Sequence, residues 1–95
     1  MSSQVSLELK FQSDGEDTAV KLADKLLIGR NPGCAIVLAE SSVSGKHAAV
    51  VSKGDRWFLA DLDSSNGIVV DGKKVKQLQL LPGARFRIGG TSFQV

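Results

Sequence analysis

The chain has one cysteine, one histidine, no tyrosine, and only four phenylalanines and one tryptophan. Cys34, being alone, can form neither an intramolecular disulfide nor a multi-cysteine zinc site. The aromatic residues are too few, and mostly fall within strand segments that could bury them, to interleave with basic side chains as a nucleic-acid stacking platform does. No apolar run approaches the ~20 residues a membrane-crossing helix needs. The opening stretch MSSQVSLELKF has no basic segment followed by an apolar one, so no secretory signal is read there. No repeat, low-complexity tract or linker interrupts the sequence. The expectation is a small protein of the reducing cytoplasm, engaging neither membrane nor nucleic acid and needing neither metal nor cofactor.

An excess of either charge is also missing. The formal net charge is +2 over 95 residues, which suits one domain with one core. Its distribution is uneven: residues 1–45 carry four bases and six acids, residues 46–95 eight bases and four acids. Such an imbalance can steer an anion toward one part of the domain but falls short of a nucleic-acid patch.

What is present is alternation. Val5, Leu7, Leu9 and Phe11 put four apolar residues on one face of a segment whose other face carries Ser6, Glu8 and Lys10. Further strand-like segments follow at 18–23, 25–30, 35–38, 47–53, 56–62, 68–70, 84–88 and 91–95, with 75–80 extended or irregular. Turn chemistry separates them: Asp14-Gly15, Asn31-Pro32-Gly33, Gly54-Asp55, Asp71-Gly72, Pro82-Gly83 and Gly89-Gly90. About ten short strands at this spacing indicate an all-β sandwich or barrel. A strand running to the last residue carries the further expectation of one domain, residues 1–95, excised from a longer chain.

Three polar islands interrupt this pattern at strand junctions: Gly29-Arg30, Ser44-Gly45-Lys46-His47 and Ser65-Asn66-Gly67. Each has a chemical reading and a plainer one. The Arg30 guanidinium matches the geometry of a phosphate, yet a strand-end arginine can simply be solvated. Ser44 and its neighbouring amides can turn toward one anion, or the serine can cap a turn. Asn66 can donate and accept at once, as gripping a peptide backbone requires, or Asn66-Gly67 can be a two-residue hairpin turn. His47 suits a hydrogen-bonded loop anchor better than a proton shuttle. A hydrolase built on Ser44 and His47 would lack an adjacent acidic orienter, although Asp61 or Asp63 could be brought close by the fold. No Gly-x-Ser-x-Gly elbow is present either.

Taken together these residues resemble the forkhead-associated (FHA) domain, a β-sandwich that binds phosphothreonine peptides. The resemblance spans nearly the whole chain: Ile28-Gly29-Arg30, Val43-Ser44-x-x-His47-Ala48, Trp57-x-Leu59-x-Asp61-Leu62, Ser64-Ser65-Asn66-Gly67, Pro82-Gly83 and the closing Ile88-Gly89 with Phe93-Gln94-Val95. It implies eleven strands in two sheets, with binding loops at one end. It also implies a non-enzymatic module whose partner is a phosphothreonine-containing protein, the product of a Ser/Thr kinase, bound by a monomer. By motif match, Arg30 and Ser44 would contact the phosphate and Ser65 would add a hydroxyl. Asn66 would hold the peptide main chain. Gly29, His47 and Gly67 would be structural, the histidine bracing the Ser44 loop. Two positions depart from the pattern. Gly45 stands where an arginine or asparagine commonly assists ligand binding, leaving Lys46 as a possible substitute. Asp71-Gly72 replaces a second Asn-Gly and brings negative charge toward the binding loops. The rival within the same fold is a protein–protein assembly surface independent of phosphate.

Overall fold

In the computed structural model, residues 7–13 and 15–95 are described. Val5, Ser6 and Asp14, assigned above to the first strand and turn, lie outside the described residues.

Eleven strands follow one another with no helix among the described residues: β1 (Glu8–Ser13), β2 (Glu16–Lys21), β3 (Leu26–Gly29), β4 (Ile36–Val37), β5 (Ala48–Lys53), β6 (Arg56–Asp61), β7 (Ile68–Val70), β8 (Lys73–Val75), β9 (Gln77–Gln79), β10 (Arg85–Ile88) and β11 (Thr91–Gln94). They form a six-stranded sheet, β2-β1-β11-β10-β7-β8, and a five-stranded sheet, β4-β3-β5-β6-β9. Pairing is antiparallel except between β3 and β4. The β-sandwich expected from the alternation and the resemblance is therefore what the chain forms.

Period-two patterning builds the core directly. In β10 the order is exposed Arg85, buried Phe86, exposed Arg87, buried Ile88. Phe86 stands opposite Phe93 and stacks on it at 4.9 Å between ring centroids, with Phe11 tilted against the other side of Phe93 at the same distance. Leu9, Ile28, Ala48, Val50, Leu59, Ile68 and Ile88 are wholly buried between the sheets. Burying side chains of this size contributes roughly 1.5–3 kcal/mol each for the larger ones before chain entropy is set against it.

Turn residues set the hairpins. Asp71 and Gly72 both have positive φ (50° and 79°) and join Val70 to Lys73, as a two-residue type I′ turn requires. Pro82 and Gly83 occupy the middle of a turn closed by the Ala84 amide on the Leu81 carbonyl, with Gly83 at φ 88°.

Several boundaries differ from the sequence reading. The strand read from Lys25 starts at Leu26, because Lys25 is left-handed at φ 64°. The segment 75–80 is not one element: β8 ends at Val75 in the six-stranded sheet and β9 begins at Gln77 in the other. Lys76 alone makes the crossing, its carbonyl accepting from the Asp61 amide at 2.8 Å. A one-residue sheet change leaves no turn signature, which is why alternation could not show it.

Candidate functional site

β3 ends, β5 begins, β6 ends and β7 begins at the same end of the sandwich, so the three polar islands meet there. One buried side chain joins them. The His47 ring has no solvent exposure. Its Nδ1 accepts the Ser44 amide hydrogen at 3.1 Å, and its Nε2 lies 2.8 Å from the Gly67 carbonyl oxygen. An acceptor at Nδ1 fixes the neutral tautomer with its hydrogen on Nε2, so Nε2 donates to Gly67. The His47 backbone amide donates to the Ile28 carbonyl at 2.9 Å, and its carbonyl accepts from Leu62 at 2.9 Å. One residue thus ties the end of β3, the Ser44 loop and the β6–β7 loop together.

The approach of β3 to the Ser44 loop requires glycine. A Cβ on Gly29 would overlap the Gly45 carbonyl oxygen and lie 2.9 Å from the Gly45 carbonyl carbon and 3.0 Å from the His47 nitrogen. With no side chain in the way, the amides of Arg30 and Asn31 donate to the Ser44 and Gly45 carbonyls, each at 3.0 Å. Cys34, buried, places its thiol 3.4 Å from the same Gly45 oxygen.

On its other side the Ser44 loop is held by Glu40. One carboxylate oxygen accepts from the Gly90 amide at 2.7 Å and the other from the Thr91 hydroxyl at 2.6 Å. The β6–β7 loop is shaped by Asp61, which accepts from both the amide and the hydroxyl of Ser64, while the Ser64 oxygen accepts from the Gly67 amide at 2.9 Å. The sequence reading missed both residues as site builders. The Asp61-x-x-Ser64 spacing is a local capping signal that could have found the second. Glu40 reaches across 50 positions, and no spacing rule points to it.

What this frame presents is polar and partly free. Arg30 is exposed at the end of β3. The Ser44 oxygen accepts from the Ser65 amide at 3.0 Å, which leaves its own hydrogen available for donation. Ser65 and Asn66 are exposed, and one Asn66 Nδ2 hydrogen goes to the Ser42 carbonyl at 2.8 Å. Asn66-Gly67 is no hairpin turn: β6 and β7 belong to different sheets, and of the two residues only Gly67 has positive φ, at 74°. Gly45 and Lys46 are exposed in a bend. Asp71 sits at the far end of β7 from Gly67, about 13 Å away along the extended chain, so its charge is carried away from the loops. Lys74 comes near instead, since a Cβ on Gly67 would lie 3.6 Å from its Cγ and Cδ.

Both nitrogens of His47 are engaged by backbone groups, and the Ser44 group that meets the ring is its amide, not its hydroxyl. That arrangement orients no base toward the Ser44 oxygen. Among the described residues no group of three or more His, Cys, Asp or Glu is assembled to hold a metal, and no helix is long and apolar enough to cross a membrane.

Residues 26–89 match the family model of the FHA domain. FhaB of Mycolicibacterium smegmatis, an FHA domain-containing protein, is 37% identical over 71 residues, covering 74% of this chain and 46% of the relative. The chain thus spans about half the length of the FhaB relatives it matches. Among solved structures, the FHA domain of FhaA complexed with the intracellular domain of Rv3910 superposes with a TM-score of 0.81 at 30% identity, covering 92% of this chain and 96% of that one. Mycobacterium tuberculosis EmbR in complex with a low affinity phosphopeptide superposes with a TM-score of 0.81 at 29% identity, covering 99% of this chain and 25% of that one.

Proposed function

The chain belongs to the FHA domain family, and from that premise we propose that it is a non-enzymatic module binding phosphothreonine in a protein partner, in phosphorylation-dependent signalling or assembly. The observation that carries the reading is that His47 holds the Ser44 loop to the β6–β7 loop, with exposed Arg30 bonded through its backbone amide to Ser44, Ser65 through its amide to the Ser44 hydroxyl oxygen, and Asn66 to Ser42. Arg30 and the Ser44 hydroxyl take the phosphate, the guanidinium supplying charge-assisted bonds worth roughly 1.5–3 kcal/mol each. Ser65 adds its hydroxyl. Asn66 retains a second Nδ2 hydrogen and its Oδ1 for the main chain of the bound peptide. Gly29, His47 and Gly67 act as scaffold, and Lys46 adds positive potential beside Gly45. The partner is the product of a Ser/Thr kinase, and the module binds it as a monomer in the cytoplasm.

The test is titration of a phosphothreonine peptide library against the native chain, Arg30→Ala and Lys73→Ala. Binding falls far more in Arg30→Ala, because Lys73 lies in the β7–β8 hairpin away from the loops. Equal losses would reduce Arg30 to charge steering. No phosphate-dependent shift of the three loops in an amide NMR spectrum would leave the fold as a phosphate-independent assembly surface.

A further inference from the structure

We propose that the outer face of the six-stranded sheet is a second contact surface, which docks an acidic segment of the same phosphorylated partner. That the partner is phosphorylated rests on the function proposed above; the surface itself rests on its own residues. Lys10 stands opposite Gln94 and Gln94 opposite Arg85, while Arg87 stands opposite Ser92 on one side and Val69 on the other. Cross-strand partners share a face, so these side chains all project from the outside of the sheet. Their neighbours Leu9, Phe11, Phe86, Ile88 and Phe93 fill the core.

Lys10 and Arg85 are two strands apart, about 10 Å, and Arg85 and Arg87 are about 7 Å apart along β10. Three exposed cations therefore crowd one patch with no acid between them. They line a shallow concavity of about 1210 Å³ whose two acidic residues, Asp17 and Asp71, lie on the outer strand β2 and in the β7–β8 turn. Asp17 is already engaged by Gln12 Nε2 at 3.1 Å.

The patch is continuous with the loop site. Val69 pairs with Lys74, which extends the Arg87 row, and the Lys74 stem lies against Gly67 of the Asn66 loop. A chain leaving the loops can therefore pass Lys74 and Arg87 before reaching Arg85 and Lys10. The occupant is an acidic polypeptide rather than a nucleic acid or a lipid surface. The face carries no outward aromatic ring for base stacking, and Gln94 and Ser92, set among the cations, offer amide and hydroxyl groups suited to a peptide backbone.

The experiment compares a phosphothreonine peptide extended by Asp and Glu residues with one extended by Ser and Gly, on the native chain, on Arg85→Gln with Arg87→Gln, and on Arg30→Ala. A short unphosphorylated Asp/Glu peptide, a DNA duplex and anionic vesicles are titrated in parallel by amide NMR. The acidic extension tightens binding about fivefold at low salt, and the gain fades as salt rises. The gain disappears in the double variant, which binds the neutral-tailed peptide as the native chain does. The unphosphorylated peptide shifts β1, β10 and β11 amides in both the native chain and Arg30→Ala. The proposal is overturned by an absent gain, by a gain that survives the double variant, or by tighter binding of duplex DNA or anionic vesicles to the same amides. If the neutral-tailed phosphopeptide fails to bind the native chain, the loop reading falls, and the surface stands or falls on the shifts from the unphosphorylated peptide.

Discussion

His47 donates its Nε2 hydrogen to the carbonyl oxygen of Gly67, 2.8 Å away and 20 positions later in the chain. Since Nδ1 is committed to the Ser44 amide, the width of one imidazole sets the gap between the loop carrying Ser44 and the loop carrying Asn66.

Replacing His47 by alanine removes both bonds and leaves a cavity at a wholly buried position. The Ser44 amide and Gly67 carbonyl lose their partners, and a loss of about 2–4 kcal/mol is expected. Denaturant unfolding measures it as a lowered midpoint at constant slope. Phosphopeptide affinity falls as well at temperatures where the variant is still folded, although His47 itself is sealed from ligand. A variant of native stability and affinity would show that the loops hold their spacing without the ring.

Gly29→Ala tests the contact between β3 and the Ser44 loop. The new methyl overlaps the Gly45 carbonyl oxygen, so the loop moves outward and weakens the bonds from Arg30 and Asn31. Overpacking of this kind costs about 1–3 kcal/mol. The largest amide NMR shifts are expected at Arg30, Asn31 and Cys34, all of which meet that segment. Changes spread evenly over the domain would contradict a local clash.

How much of this was legible follows from which interactions are local. Alternation placed the core: Phe86 and Ile88 against Arg85 and Arg87 is a pattern readable in four residues. Turn chemistry placed hairpins such as Asp71-Gly72. The family motifs directed attention to Arg30, Ser44, Ser65 and Asn66, and the fold gathers these at one end. Composition alone could not assign the second-half cations, which the strands divide among surfaces: Arg85 and Arg87 line the six-stranded face, whereas Lys53 lies over the Phe58 ring, 5.8 Å from its centroid. Nor could it show Glu40 spanning to Gly90, or Lys76 switching sheets, because each depends on pairing between distant segments.

Glu40→Ala unties the Ser44 loop from the β10–β11 hairpin. Two charge-assisted bonds are lost, and a cost of about 1–3 kcal/mol is expected, with Glu40→Gln retaining roughly half through one acceptor and one donor. Thermal unfolding of the pair gives the order native, Gln, Ala. If Gln and Ala were equally destabilised, the charge and not the geometry would be what holds the loop.

Asp24 offers a pH test. Its carboxylate accepts the Ser52 amide hydrogen at 2.9 Å, and that bond lowers its pKa below the ordinary 3.8. A depressed carboxyl pKa contributes stability that is present above the unfolded value and is lost as pH falls through the folded one. Asp24→Asn therefore shows its greatest deficit near neutrality, and the deficit narrows below about pH 4. A deficit that grew on acidification would reverse the sign and exclude this bond as the cause. NMR titration of the Asp24 carboxyl, with a midpoint under 3.8, checks the shift directly.

Gly45→Arg is the substitution expected to gain function. A Cβ there meets nothing within 4 Å, and the backbone does not have the positive φ that would strain an L-residue, unlike Gly67 or Gly89. Gly45 contacts Gly29 and Cys34 through its backbone carbonyl, which the new side chain leaves in place. The position follows Ser44 directly and lies in a bend open to solvent, so a second guanidinium can reach the ligand that Arg30 holds. Affinity for a phosphothreonine peptide rises about three- to tenfold, less than a fully formed charge-assisted bond would give because the long side chain must be ordered. Affinity for the unphosphorylated peptide stays unchanged, and stability moves by less than about 0.5 kcal/mol at so exposed a site. Isothermal titration of both peptides separates the outcomes. Equal gains for both would mean general charge attraction, and no gain for the phosphopeptide would place the phosphate out of reach of this loop.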